Sequence, residues 1–259
     1  MIRRFFSQAW LYHKGRTSAF KLSEFLAFDV GNPMMTMIFY CLLASYGFRT
    51  IDLTHWVVSN AFLLCTNTCI FGLGGLFRGE RMSGRLRSIV AAPYSKLAVV
   101  LASGVGPVLI ATLTVVFNLI VGSLLFRVDF SGISIGMTML VILCAMISAT
   151  GFGLLVSVFG LITSSIHLVL NILNFVLIIF TGAEFPVSQL PAAGQLLSRC
   201  LPLTRTIEAM DLLFRHETGK IPELLLGELL LAAVFLLFAR ALFFLMERLC
   251  RVDGKLDAF

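Results

Sequence analysis

One stretch limits what this chain can become. From Leu97 to Leu125 there is no Asp, Glu, Lys or Arg. A helix of about 20 apolar residues crosses the hydrocarbon of a bilayer, and only helices and closed barrels satisfy their backbone there. Similar apolar runs lie at about Phe28–Tyr46, Trp56–Phe77, Ile133–Phe159, Ser165–Thr181 and Leu224–Met246. Each is too long for a barrel strand, so the expected fold class is an all-α integral membrane protein with six transmembrane helices. The 259 residues are 58% hydrophobic and 13% charged, against about 25% charged in a soluble domain. The whole chain, 1–259, reads as a single transmembrane domain.

The net charge of +6 does not point to nucleic acid, because the cations collect in short segments between apolar runs. Five fall before residue 28, five between Arg78 and Lys96 and three from Arg248 onward, while Arg49 and Arg127 stand alone in two short connections. Cations gather on the cytoplasmic side of membrane proteins, which predicts cytoplasmic termini and a plasma (inner) membrane location. Residues 1–27 alternate aromatic and basic side chains without the apolar core of a signal peptide. They are expected to form an amphipathic helix in the cytoplasmic interface.

Within the spans, polar residues are the functional pointers. Asn60 and Asn67 are seven apart on the second span, and His167, Asn171 and Asn174 recur at i, i+4, i+7 on the fifth. Such stripes serve either interhelical hydrogen bonding or the lining of a pathway. Glu228, one turn into the sixth span, is expected to face water or Arg215. Gly72-x-Gly74-Gly75 and Gly151-x-Gly153 mark points of close helix approach, and Gly104, Gly106 and Pro107 predict a kink.

The loop of residues 78–96 is expected to hold a short amphipathic helix. Leu86, Ile89, Val90 and Pro93 share one face, with Arg85 and Arg87 on others. On charge alone it is either a basic loop near anionic lipid or a docking element for a soluble partner. The order Glu80, Gly84, Leu86, Pro93-Tyr94-Ser95 resembles the coupling loop of ABC-type exporter permeases of the type-2 class. Arg85 stands where Thr is usual in that family and Arg87 where an acid is common. The resemblance implies that Glu80, Arg81, Gly84, Arg85, Leu86 and Pro93 couple the chain to an ATPase.

A second resemblance to the same family lies in the 182–221 segment, which reads as external and re-entrant. Gly182-Ala-Glu184-Phe-Pro186 through Pro191, then Leu201-Pro202-Leu-Thr, is similar to its external element between spans five and six. One short helix is expected from Gln195 to Cys200. A second is expected to put Leu203, Ile207, Met210 and Phe214 on an apolar face, with Arg205, Glu208 and Arg215 kept wet. Glu184, Pro186, Pro191, Pro202, Ile207 and Met210 would form an external gate. The family further implies two cytosolic ABC ATPases that carry ATP and Mg, a second identical or related permease, and a drug, peptide, lipid or glycolipid as cargo.

No catalytic constellation appears. His13, His55, His167 and His216 are scattered, and neither H-E-x-x-H nor a G-x-x-x-x-G-K-[ST] phosphate loop occurs. No cofactor or metal is expected on this chain. Cys65 and Cys69 share a helix face without nearby His or acid, and read as small buried hydrophobes. The alternatives kept open are an ion- or proton-coupled secondary transporter, a membrane enzyme, and an immunity or sensing component of an ABC complex.

Overall fold

The computed structural model describes residues 30–48, 52–82, 84, 96–130, 132–163 and 165–253; these residues are helical, with short connections and no strand among them. Helix α1 is Asn32–Phe48, with Pro33 in its first turn, where no intrahelical amide is needed. Helix α2, Thr54–Thr66, runs through a π turn at Asn67–Phe71 into α3, Gly72–Gly74, and on to α4, Leu76–Met82. Hydrogen bonds from Gly75 to Phe71 and from Gly79 to Gly75 carry the helix across the last joint. The helix thus covers Arg78–Met82, where the sequence pattern predicts loop.

Helix α5, Lys96–Phe126, is unbroken through Pro107, so the predicted kink does not interrupt it. Helix α6, Ile135–Ile162, starts at Ser134, whose side chain caps the Met137 amide. Helix α7 is Ile166–Phe180, and α10, Ile221–Asp253, closes the chain. Among the described residues, four stretches are long and apolar enough to cross a membrane: Thr54–Gly74, Val99–Phe126, Ile135–Gly160 and Thr218–Leu245. Helix α7 is apolar but shorter, and α1 has 17 residues.

α6 and α10 form the most extensive helix pair, with α2 on α5 next. α6 sits at the centre, burying Val141, Ile142, Ala145, Met146, Ala149, Leu154 and Val156. Lipid tails are as apolar as these side chains, so van der Waals fit and close backbone approach do the selecting. A Cβ on Gly151 would lie 3.1 Å from the Ala232 carbonyl of α10, and one on Gly160 would lie 3.0 Å from the Gly74 carbonyl. On Gly74 it would meet Leu170 of α7 at 2.8 Å. The two glycine clusters legible in the sequence therefore mark where α3 meets α6 and α7, and where α6 meets α10.

Residues 182–220 fold into two helices over one end of this bundle. They are α8, Ala192–Cys200, and α9, Thr204–Phe214. α8 begins at Ala192, three residues before the expected Gln195, because Pro191 precedes it in extended conformation and the Gln195 amide bonds the Pro191 carbonyl. The interfacial helix expected at 1–27, and Arg85, Leu86 and Pro93 of the coupling helix, lie outside the described residues.

Candidate functional site

Helix α9 is the centre of the site. Ile207, Met210 and Leu213 are buried, Phe214 is half-buried, and the Phe214 ring lies 5.0 Å from Phe130. This is the apolar face expected from the sequence. Leu203 is also fully buried, but stands just before the helix with φ at +72°. A left-handed leucine costs about 1–2 kcal/mol, so something must hold it there.

That anchor is Glu228. Its Oε1 accepts the Leu203 amide at 2.8 Å. Glu228 is wholly buried, which corrects the expectation that it faces water or Arg215. Arg205 is corrected with it. It is half-buried, packed over Gly227 and electrostatically paired with Glu228. The absence of a side chain at Gly227 lets the Arg205 stem lie on α10. Glu208 and Arg215 are exposed, as expected.

The other side of α9 is tied to α2. His55 Nδ1 lies 2.7 Å from Asp211 Oδ2, and Nε2 lies 3.1 Å from the Gly182 carbonyl. Acceptors on both ring nitrogens are satisfied together only by an imidazolium. Ser59 Oγ stands 3.4 Å from Nδ1. This shares a nitrogen with Asp211, so the trio is not a relay for nucleophilic catalysis. Asp52 precedes the helix and accepts the Thr54 amide at 3.0 Å. Hydrogen bonds from Thr54, side chain first, hold the Asp52 carboxyl below its ordinary range.

Glu184 completes the cluster. It is buried, and Asn60 of α2 lies close enough to act on its carboxyl. Burial pushes its carboxyl above the ordinary range, against the opposing pull of Asn60 and His55. The segment is also tied to the end of α7: Ser198 donates to the Phe180 carbonyl, and Thr204 donates to the Ser198 carbonyl at 2.8 Å.

The expected gate residues thus fall into two groups. Glu184, Pro202, Ile207 and Met210 are buried under or within the segment, while Pro186 and Pro191 are exposed at its bends. Of the expected pathway residues, Asn60 is wholly buried against Glu184. The π turn begins at Asn67, whose side chain lies outside the described residues. His167 and Asn171 are exposed and Asn174 is half-buried. Of the expected coupling residues, Glu80 is buried near the end of α4, Arg81 follows it in the helix, and Gly84 takes φ of +69°.

Sequence reasoning missed His55, Asp211 and the burial of Arg205. His55 and Asp211 are 156 residues apart, and no short-range pattern links them. A weaker signal existed for Arg205 and Glu228: opposite charges flanking a Leu-Pro turn and the start of an apolar helix.

A family model described as ABC-2 type transporter matches residues 10–214. No curated protein sequence matches the chain.

Proposed function

This chain belongs to the ABC-2 type transporter family, and on that premise we propose that it is the permease subunit of an ATP-binding cassette exporter. It crosses the membrane six times with both termini in the cytoplasm. Two separate cytosolic ABC ATPases supply ATP hydrolysis, and a second copy or related permease completes the pathway. The cargo is amphipathic or apolar: a drug, peptide, lipid or glycolipid. The observation that carries this reading is the family match, which spans the chain from its first segment to the end of α9.

The geometry supports a division of labour. Residues 182–220 act as an external gate over one end of the bundle, held by Glu228 on one side and by His55 and Glu184 on the other. The stripe of His167, Asn171 and Asn174 is exposed or half-buried on the protomer. Polar groups left bare in hydrocarbon are costly, so this face fits a seam against the second permease and the cargo route within it. The segment from Glu80 through Pro93 is the coupling element, and α4 delivers it from the bundle.

Glu184 and Glu228 also favour a second reading, proton-coupled transport, since buried acids serve as relays. The two readings separate in one experiment. Tagged protein purified from its own membranes should bring down an ABC ATPase, and the reconstituted complex should hydrolyse ATP and move cargo with no ion gradient. A chain that purifies without an ATPase and transports only under a proton gradient would replace the first reading by the second.

A further inference from the structure

One side chain holds two points of the cap formed by residues 182–220. His55 of α2 places Nε2 3.1 Å from the Gly182 carbonyl, where the cap begins, and Nδ1 2.7 Å from Asp211 Oδ2 on α9. Both partners are acceptors, so each nitrogen must carry a hydrogen and the ring a charge. A third partner stands beside them. Ser59, one turn along α2 and wholly buried, has its Oγ 3.4 Å from the same Nδ1. A hydroxyl donates to a ring nitrogen that has lost its hydrogen, and not to one that keeps it. Two partners of opposite kind therefore compete for one nitrogen, and the proton decides between them.

We propose that His55 is a proton-controlled latch: the imidazolium binds Asp211 and closes the cap on α2, while the neutral ring accepts the Ser59 hydroxyl and lets α9 go. In the closed form Nδ1–H donates to Asp211 and Nε2–H to the Gly182 carbonyl. When the Nδ1 proton leaves to water, Ser59 O–H donates to Nδ1 and Nε2–H keeps the Gly182 carbonyl. Both ring nitrogens stay satisfied. Asp211 is the group that loses, because its carboxylate then faces a nitrogen lone pair. Its side chain is 25% exposed, so water takes over as its donor. The start of the cap stays tied while α9 is freed. The latch rests on the reading of residues 182–220 as an external gate.

The titratable groups that act on the ring are acids: Asp211 from α9, Glu184 from the first residues of the cap and Asp52 from the turn before α2. Arg215 acts on Asp52, and Tyr40 and Cys41 of α1 interact with Glu184. The closed form binds one proton more than the open form. Closure is therefore favoured as pH falls and lost as pH rises.

The test follows hydrogen exchange of residues 204–214, corrected for the chemical rate, in lipid nanodiscs with any ATPase that copurifies. It spans about pH 5–9, which brackets the ordinary histidine value of about 6.5. Wild-type α9 should loosen as pH rises by up to about tenfold per unit, the limit for one proton. His55→Gln should abolish that dependence. Ser59→Ala removes the donor that the neutral ring needs, so it should move the transition to higher pH by up to about one unit, the contribution of one neutral hydrogen bond. Asp211→Asn supplies an amide that donates to the neutral ring, so α9 should stay protected at high pH. A flat wild-type profile overturns the latch. So does a profile that His55→Gln leaves unchanged, which would put the proton on Glu184 or another group. A Ser59→Ala transition that stays in place or moves to lower pH overturns the exchange of partners, as does an Asp211→Asn profile identical to wild type. Should His55→Gln fail to fold, these two variants carry the test without it. None of the readouts depends on ATP hydrolysis or transport, so the latch could fail while the permease reading stands.

Discussion

Replacing Glu228 by Ala removes the single acceptor that holds the start of α9. In the native arrangement Glu228 Oε1 takes the Leu203 amide at 2.8 Å, both groups fully buried. Leaving a buried amide without its acceptor costs about 1–3 kcal/mol, and this amide has no water to turn to. Leu203 also keeps its left-handed backbone, so the strain remains while the contact that offset it is gone. At about 1.4 kcal/mol per decade, the opening equilibrium of α9 should rise about 5- to 140-fold. Glu228→Gln keeps a carbonyl acceptor and loses only the charge, so its effect should be under about tenfold. Hydrogen exchange of residues 204–214 in nanodiscs reads both directly, with peptides from α6 as the control that the bundle is intact. If Glu228→Ala exchanges within twofold of wild type while α6 stays protected, Glu228 does not anchor the cap. If Glu228→Gln loosens α9 as much as Glu228→Ala, the anchor is its charge and not the accepted amide.

Three further outcomes follow from the packing and from the proposed orientation. Gly151→Leu forces a side chain against the Ala232 carbonyl and should cost about 1–3 kcal/mol in thermal unfolding. Gly79→Ala meets nothing within 4 Å on a helix and should instead stabilise by up to about 1 kcal/mol. Asn171→Leu should lower cargo-stimulated ATP hydrolysis severalfold while leaving membrane yield and complex assembly near wild type; parallel loss of all three would reduce the stripe to an assembly contact. Cys200 is exposed and should label with an impermeant thiol reagent on intact cells, whereas Cys250 should label only after permeabilisation. The reverse pattern would invert the topology.

The helices and their close contacts were legible because each is written in local sequence. Apolar runs gave α2, α5, α6 and α10, and glycine spacing gave the points where α3 and α6 meet their neighbours. The apolar face of α9 was legible for the same reason, from Ile207, Met210 and Phe214 at helical spacing. What local sequence cannot carry is the pairing of polar groups across the chain. Glu228 reads as an interfacial acid when only its own helix is considered. It becomes an anchor because α9 folds back and presents a bare amide. His55 reads as an isolated histidine until Asp211 arrives from a helix 156 residues on. The π turn at Asn67–Phe71 carries no Pro or Gly within its bounds to announce it. Arg205 was misread because its charge argued for water while the neighbouring Gly227 had opened a place for its stem.

These misread residues are the ones that give the proposed gate a means of being driven. α9 is bound at its start to α10 through Glu228, and farther along to α2 through Asp211 and His55. From His55 the chain is helical through the π turn and Gly75 to Glu80, so the contacts of His55 and the proposed coupling element lie at opposite ends of one continuous element. At 1.5 Å per residue that element spans about 37 Å, enough to carry a displacement from one face of a membrane to the other. A rigid rod would move the latch as far as the coupling end. The π turn loosens the hydrogen-bond ladder midway and is the natural place for bending. A push on the segment beyond Glu80 would then tilt the half of α2 bearing His55 and Asn60, while α10 and Glu228 keep their hold on Leu203. The cap would hinge at its strained leucine and release on the α2 side first, where the side chain of His55, and not a packed backbone, makes the bond.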